Sequence, residues 1–214
     1  MFKDKRLSVL GDSISTYRGI SNDANANFTI RYNPYFYYEP FPQEKTYWMR
    51  LIKEFGMTLC VNNSWSGGNL SGTDDPTSGV NRARQLSNDN GEKPDFIIVF
   101  MGINDLGRNV PVDTFATDYE KTLMIIKQSY PEARVCCVNL PDRYKAVREQ
   151  TVLFNQAISK AVAAAGENFF IADLFNSKLN NDFYYMNTVD GLHPDEDGAE
   201  IISAIVINAF KNIR

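Results

Sequence analysis

Ser13 stands in the turn Leu10-Gly11-Asp12-Ser13-Ile14-Ser15, directly after a short apolar run from Leu7 to Leu10. A buried strand that breaks at a glycine delivers the following side chains to the open end of a sheet, where a nucleophile can meet a ligand. A serine hydroxyl is a weak nucleophile until a neighbouring base takes its proton. The chain holds one histidine, His193, in Asp190-Gly191-Leu192-His193-Pro194. A neutral imidazole, with a reference pKa of about 6.5, accepts a proton near neutrality as no ordinary carboxylate does. Asp190, three residues earlier, can reach the ring nitrogen that the serine does not use, which would fix the tautomer and stabilise the imidazolium. These three residue types are the parts of a serine hydrolase.

Positioning them requires a scaffold, and the hydrophobic pattern describes one. After Leu7 to Leu10, apolar residues recur at helical spacing from Glu44 to Phe55 and stop at Gly56. Met57 to Val61 reads as a second strand, ending in the loop chemistry of Asn62-Asn63-Ser64-Trp65-Ser66-Gly67-Gly68. A helix is expected over Val80 to Ser87, a buried strand over Asp95 to Met101, a helix over Pro111 to Tyr130 and a strand over Arg134 to Leu140. Val147 to Ala165 then reads as a helix, Asn168 to Leu174 as a fifth strand, and Asp195 to Ile213 as a final amphipathic helix. Strand and helix alternate, which predicts an α/β sandwich around a mostly parallel five-stranded sheet. Ligands of such sheets bind beyond the carboxyl ends of the strands. Ser13, Gly67 and Asn104 each follow a predicted strand, so the fold gathers them on one edge.

Between Tyr17 and Glu44 neither period holds, and the segment is dense in rings: Phe28, Tyr32, Tyr35, Phe36, Tyr37, Tyr38 and Phe41. Long irregular segments often line binding sites, although such rings also serve to pin a loop to the body. The 214 residues are expected to form one domain over 1–214, with this aromatic-rich insertion at about 17–44. A net charge of -4 without blocks of like charge argues against a nucleic-acid partner. The longest strongly apolar stretch, Ile201 to Phe210, is far short of the roughly 18 residues of a membrane span. The start, Met1 to Arg6, runs into the first strand without an export leader, and the three cysteines, Cys60, Cys136 and Cys137, fall in apolar runs without disulfide or metal-ligand spacing. Buried thiols and a cytoplasmic location are the expectation.

Four blocks in order carry a resemblance: Gly11-Asp12-Ser13-Ile14, Ser66-Gly67, Gly102-Ile103-Asn104-Asp105, and Asp190-Gly191-Leu192-His193. Each tripeptide is weak alone. Four in order, each after a strand-like run or near the end of the chain, resemble the SGNH/GDSL hydrolase superfamily of serine esterases and lipases. The resemblance implies the three-layer α/β/α, flavodoxin-like fold of that superfamily. It also implies Ser13 as nucleophile, His193 as general base and then acid, and Asp190 as the residue that orients the ring. The oxyanion hole it implies is made by the backbone N–H groups of Ser13 and Gly67 and the side-chain amide of Asn104, with Gly68 a rival for the glycine donor. Asp12 and Asp105 read as acceptors that hold their own turns. No metal or organic cofactor is implied.

The activity expected is hydrolysis of a carboxylic ester, on a small-molecule or glycan substrate, through an acyl-serine. The aromatic segment makes an O-acetyl carbohydrate esterase the first expectation, with a lipase, lysophospholipase, thioesterase or acyltransferase using the same residues. Two readings from other classes compete. A metal-dependent phosphoesterase would draw on Asp12, Asn104, Asp105, Asp190 and His193, but such centres usually combine several carboxylates with more than one imidazole. A carbohydrate-binding module without activity would use the aromatic segment and leave the four blocks unexplained.

Overall fold

The computed structural model describes residues 2–16, 29–30, 42–142, 148–177 and 187–213. In chain order they form β1 (Arg6–Gly11), β2 (Thr29–Ile30), α1 (Tyr47–Phe55), β3 (Thr58–Ser64), α2 (Gly79–Arg82), β4 (Phe96–Phe100), α3 (Ile103–Gly107), α4 (Val112–Ser129), β5 (Arg134–Val138), α5 (Arg148–Ala165), β6 (Phe169–Ala172) and α6 (Glu196–Lys211). Short 3₁₀ turns cover Ser13–Ser15 and Gln43–Lys45.

Strand β1 is apolar on both faces, with Leu7, Val9 and Leu10 fully buried, and a strand of that kind needs neighbours on both edges and cover on both faces. Its edges pair in parallel with β3 and β4. The sheet order is β2-β3-β1-β4-β5-β6, with every pairing parallel. One face is covered by α1 packed on α6, the other by α4 packed on α5 and α2. Trp48 and Leu51 of α1 and Ile202, Val206 and Phe210 of α6 fill the first layer, while Phe115, Tyr119, Leu123, Phe154 and Ile158 fill the second. The three-layer α/β/α sandwich with a parallel sheet is therefore present. The chain goes from β1 to β3 on one side and returns to β4 on the other, so the connections diverge beside β1, where parallel sheets open a crevice at their carboxyl ends.

Three details depart from the expectation. A sixth strand, the two-residue β2, lies within the segment read as irregular and pairs Thr29 and Ile30 with Val61 and Asn62, giving the exposed backbone of β3 a partner. Strand β3 continues three residues past Val61, through Asn62, Asn63 and Ser64, all buried. Their polarity reads as loop in the sequence, yet Asn62 Nδ2 donates to the Ser15 carbonyl at 2.9 Å, Ser64 Oγ donates to Asn62 Oδ1 at 2.6 Å, and Asn63 Nδ2 donates to the Gln85 carbonyl at 3.1 Å. The helix expected over Val80 to Ser87 ends at Arg82, because side chains take the backbone groups that a longer helix would use. Tyr130 Oη donates to the Arg84 carbonyl and accepts from Leu86 N–H, and Ser8 Oγ donates to the Leu86 carbonyl. The aromatic residues Phe28, Tyr32, Tyr35, Phe36, Tyr37, Tyr38 and Phe41 lie outside the described residues.

At the end of β1 there is no space for a side chain. A Cβ at Gly11 would stand 2.5 Å from Ser15 Cβ and 2.6 Å from Ser64 Oγ. Gly11→Ala is expected to cost about 1–3 kcal/mol, the usual range for overpacking, and to displace the Ser13–Ser15 turn, so that ester turnover falls with stability. Urea denaturation and a turnover assay on the same sample check it, and wild-type values in both would show that the strand end yields.

Candidate active site

The turn after β1 is built from its own short polar groups. Asp12 caps it, with Oδ1 accepting from Ile14 N–H at 3.0 Å, and Thr16 Oγ1 donates to the Ser13 carbonyl at 2.8 Å. From behind, Ser15 Oγ bonds Tyr47 Oη at 2.7 Å, with both residues buried, while Asn62 holds the Ser15 carbonyl. Ser13 is buried, 7 % exposed as a residue, and its Oγ meets His193.

The ring that meets it comes from the loop before α6. Thr188 and Pro194 form an antiparallel bridge, Val189 N–H donates to the His193 carbonyl at 2.9 Å, and Gly191 takes a positive φ of 82° at the tip. Asp190 Oδ1 accepts the N–H groups of Leu192 at 3.0 Å and His193 at 2.8 Å, which fixes the carboxylate against its own loop. Its Oδ2 lies 2.7 Å from His193 Nδ1, and His193 Nε2 lies 2.9 Å from Ser13 Oγ. A carboxylate can only accept, so Nδ1 carries the hydrogen and Nε2 is left to accept from the serine hydroxyl. Asp195 then caps α6, accepting from Gly198 N–H at 2.8 Å. Lys45 and Arg50 pair with Glu196, and Arg50 with Glu200, tying α6 to the chain around α1.

Beyond β3 the chain turns through Trp65-Ser66-Gly67-Gly68, starting from Trp65 N–H on the Gly11 carbonyl at 3.1 Å. Gly68 N–H closes this turn on the Trp65 carbonyl at 2.9 Å, and Gly67 has a φ of 73°. A positive φ at the third residue is the mark of a type II turn, which favours glycine there. The geometry thus separates the two glycines: the Gly68 N–H is committed to the turn, whereas the Gly67 N–H has no partner among the described residues. Beyond β4, Asn104 in the first turn of α3 donates one amide hydrogen to the Gly68 carbonyl at 3.0 Å, leaving a second donor on the same nitrogen. Asp105, fully buried, accepts from Leu70 N–H at 2.7 Å and Ser71 N–H at 2.9 Å. Asp12 is therefore the local acceptor expected, whereas Asp105 is not: it holds a loop 34 residues away rather than its own turn.

One residue behind this edge has no counterpart in the sequence reading. Arg82, 3 % exposed, donates from Nη2 to the Gly11 carbonyl at 3.0 Å, from Nη1 to the Asn63 carbonyl at 2.5 Å and from Nε to the Thr77 carbonyl at 2.7 Å. Its guanidinium thus ties the ends of β1 and β3 together. Burial lowers its pKa to about 10. Burial also raises the Asp12 pKa to about 7, against the lowering effects of the Ile14 N–H and of Arg82, while Asp105 adds a smaller push upward. Among the described residues no three His, Cys, Asp or Glu side chains are grouped as metal ligands. Asp105 and Asp190 each have both oxygens engaged elsewhere, so the metal-centre reading gains no support. The three cysteines are free and buried.

Comparison with known proteins identifies the family and the fold. The model of the GDSL-like Lipase/Acylhydrolase family matches residues 9–201. A solved structure described as a GDSL-like lipase from Bacteroides ovatus is 23 % identical, with a TM-score of 0.73 over 98 % of this chain and 99 % of that one. The psychrotrophic esterase EstA from Pseudoalteromonas sp. is 16 % identical, with a TM-score of 0.61 over 97 % of each chain. A family two carbohydrate esterase from Clostridium thermocellum, solved with cellohexaose, is 14 % identical, with a TM-score of 0.70 over 99 % of this chain and 65 % of that one. No curated protein sequence matches the chain. At these identities the solved structures establish the fold.

The Asp12 carboxyl gives a stability test. In the fold it holds its proton up to about pH 7, against an ordinary value of 3.8. The stability this contributes is complete below the lower value and is lost as pH rises through the upper one. Asp12→Asn keeps an oxygen for Ile14 N–H and removes the titration. The variant is expected to gain Tm relative to the wild type at pH 8 and to lose that advantage at pH 4, measured by thermal denaturation at both.

Proposed function

The chain belongs to the GDSL-like lipase/acylhydrolase family and is an ester hydrolase, and from that premise we propose that Ser13, His193 and Asp190 carry the reaction through an acyl-serine. The observation behind this is the unbroken run of hydrogen bonds from Ser13 Oγ through both ring nitrogens of His193 to Asp190 Oδ2, at 2.9 and 2.7 Å. As Oγ attacks the ester carbonyl carbon, its proton passes to Nε2. The imidazolium is stabilised by Asp190, whose second oxygen stays on the loop backbone.

The carbonyl oxygen, now carrying the charge, accepts from the N–H groups of Ser13 and Gly67 and from the second amide hydrogen of Asn104. Uncharged donors held in advance act on the charge as it forms, without gripping the ground state. Collapse of the tetrahedral intermediate expels the alcohol, which takes the proton from Nε2. A water then gives a proton to the same nitrogen and attacks the acyl carbon, and the acid leaves as Ser13 recovers its hydrogen.

For the substrate we propose an acetylated carbohydrate. The fold shared with a carbohydrate esterase solved with cellohexaose supports this, and so does the density of tyrosine and phenylalanine between Phe28 and Phe41, whose flat rings suit the C–H faces of sugars.

Ser13→Ala is expected to reduce turnover of a short p-nitrophenyl ester by at least about 10³-fold, in line with the loss of a serine nucleophile elsewhere. Undiminished turnover by the pure variant would end the acyl-serine mechanism. Asn104→Ala is expected to lower kcat by about 10²–10³-fold, the usual effect of removing one oxyanion donor, with KM little changed. Substrate class is decided by comparing an acetylated oligosaccharide with an equally activated acetyl ester that lacks the sugar. A higher kcat/KM on the sugar is expected, and equal values would point to general esters or thioesters.

A further inference from the structure

The hole needs three donors from different loops to converge on one oxygen, and the structure shows how two of these loops, those of Gly67 and Asn104, are held together. Helix α3 reaches across to the turn after β3 with three side chains. Asn104 donates to the Gly68 carbonyl at 3.0 Å, and Asp105 accepts from Leu70 and Ser71 N–H. Arg108, the residue that caps the end of α3, donates from Nη1 to the Gly67 carbonyl at 2.7 Å and to Asn69 Oδ1 at 2.5 Å. Asn104 and Arg108 are four residues apart and share one face of the helix. They grip two successive carbonyls, those of Gly68 and Gly67.

The geometry points to Arg108 as a positioning residue, which registers the Gly67 turn on α3 so that the Gly67 N–H and the Asn104 amide aim at the same oxyanion. The inference rests on the reading of those two groups as donors. The need for such a residue follows from the turn itself. With glycine at two successive positions and no side chain to pack, its backbone has unusual freedom. Type I and type II turns differ mainly by a flip of the central peptide, here the Ser66–Gly67 peptide that carries the Gly67 N–H. The Arg108 Nη1 donates to both the Gly67 carbonyl and Asn69 Oδ1, so the planar guanidinium gives that carbonyl a charge-assisted donor oriented by Asn69. The Arg108 Nη2 is 3.5 Å from where a Gly67 Cβ would stand, so the guanidinium covers that side of the turn.

Arg108 is solvent-exposed, so its replacement need not disturb the core. The test measures kcat and KM for Arg108→Met, Arg108→Lys, Asn69→Ala and the Arg108→Met/Asn69→Ala pair on a neutral acetyl ester and on a carboxylate-bearing ester, with Ser13→Ala in the same series. Arg108→Met is expected to lower kcat on both esters by about tenfold or more, as a small misplacement of catalytic groups does, with KM unchanged. Lysine, which can still donate to the Gly67 carbonyl, is expected to restore part of the loss. Asn69→Ala is expected to lower kcat alone but to add little to Arg108→Met, the signature of two residues acting as one unit. The rate of inactivation by a serine-directed phosphonate is expected to fall in parallel, since its tetrahedral oxygen uses the same donors.

Wild-type kcat in Arg108→Met, a change in KM alone, or a loss confined to the carboxylate-bearing ester would overturn the assignment, the last by making Arg108 a substrate contact. If Ser13→Ala kept its activity, the acyl-serine reading would fail, whatever the Arg108 variants did.

Discussion

A hydroxyl at the end of the first strand has to meet an imidazole 180 residues later in the chain, and the rest of the molecule can be understood from that requirement. A contact of 2.9 Å tolerates little error. Both partners therefore sit on short loops that brace themselves internally and are anchored to rigid elements. Ser13 leaves the central strand of a sheet with neighbours on both edges. His193 stands shortly before α6, which is packed on α1 through a layer of large apolar side chains that includes Trp48 and Phe210. The hydrophobic core supplies the stiffness, and the chemistry uses it at the surface.

The same requirement explains why the carboxyl edge of the sheet is so polar inside. Asn62, Asn63, Ser64, Ser15, Asp12, Arg82 and Asp105 are all buried there, in positions where apolar side chains would add stability. Asn62, Asn63, Asp12, Arg82 and Asp105 each hold backbone, namely the Ser15 carbonyl, the Gln85 carbonyl, the Ile14 N–H, the Gly11 and Asn63 carbonyls, and the N–H groups of Leu70 and Ser71, while Ser64 bonds Asn62 and Ser15 bonds Tyr47. Burying a polar group is costly unless it is hydrogen-bonded. Burial is the largest influence on the acidity of both Asp12, which it pushes up, and Arg82, which it pushes down. Three adjacent loops acquire fixed relative positions in exchange.

Much of this was legible in the residues. Alternating strand and helix patterns locate the five longer strands and the larger helices to within a few residues, because each pattern arises from neighbours along the chain. The Asp190 and His193 pair is equally local: three residues apart, they meet within one loop. Glycine after an apolar run marks where β1 and β4 stop. Tertiary contacts override the pattern at two places. Asn62 to Ser64 are polar yet extended, because Asn62, with Ser64 behind it, holds the Ser15 carbonyl and Asn63 holds the Gln85 carbonyl, and residues 84–86 give up helix because Tyr130 and Ser8 take their backbone groups.

By itself, then, the sequence determined the alternating architecture and singled out Ser13, His193 and Asp190 as the candidates for nucleophile, base and orienting carboxylate, since the architecture follows from short-range patterns and the candidates from residue type and the blocks that hold them. Only the tertiary structure decided between Gly67 and Gly68, through the turn that consumes one N–H and leaves the other. It also brought in Arg82 and Arg108. Their partners are backbone carbonyls in distant loops, and every residue has a carbonyl, so no pattern of side chains could have announced them.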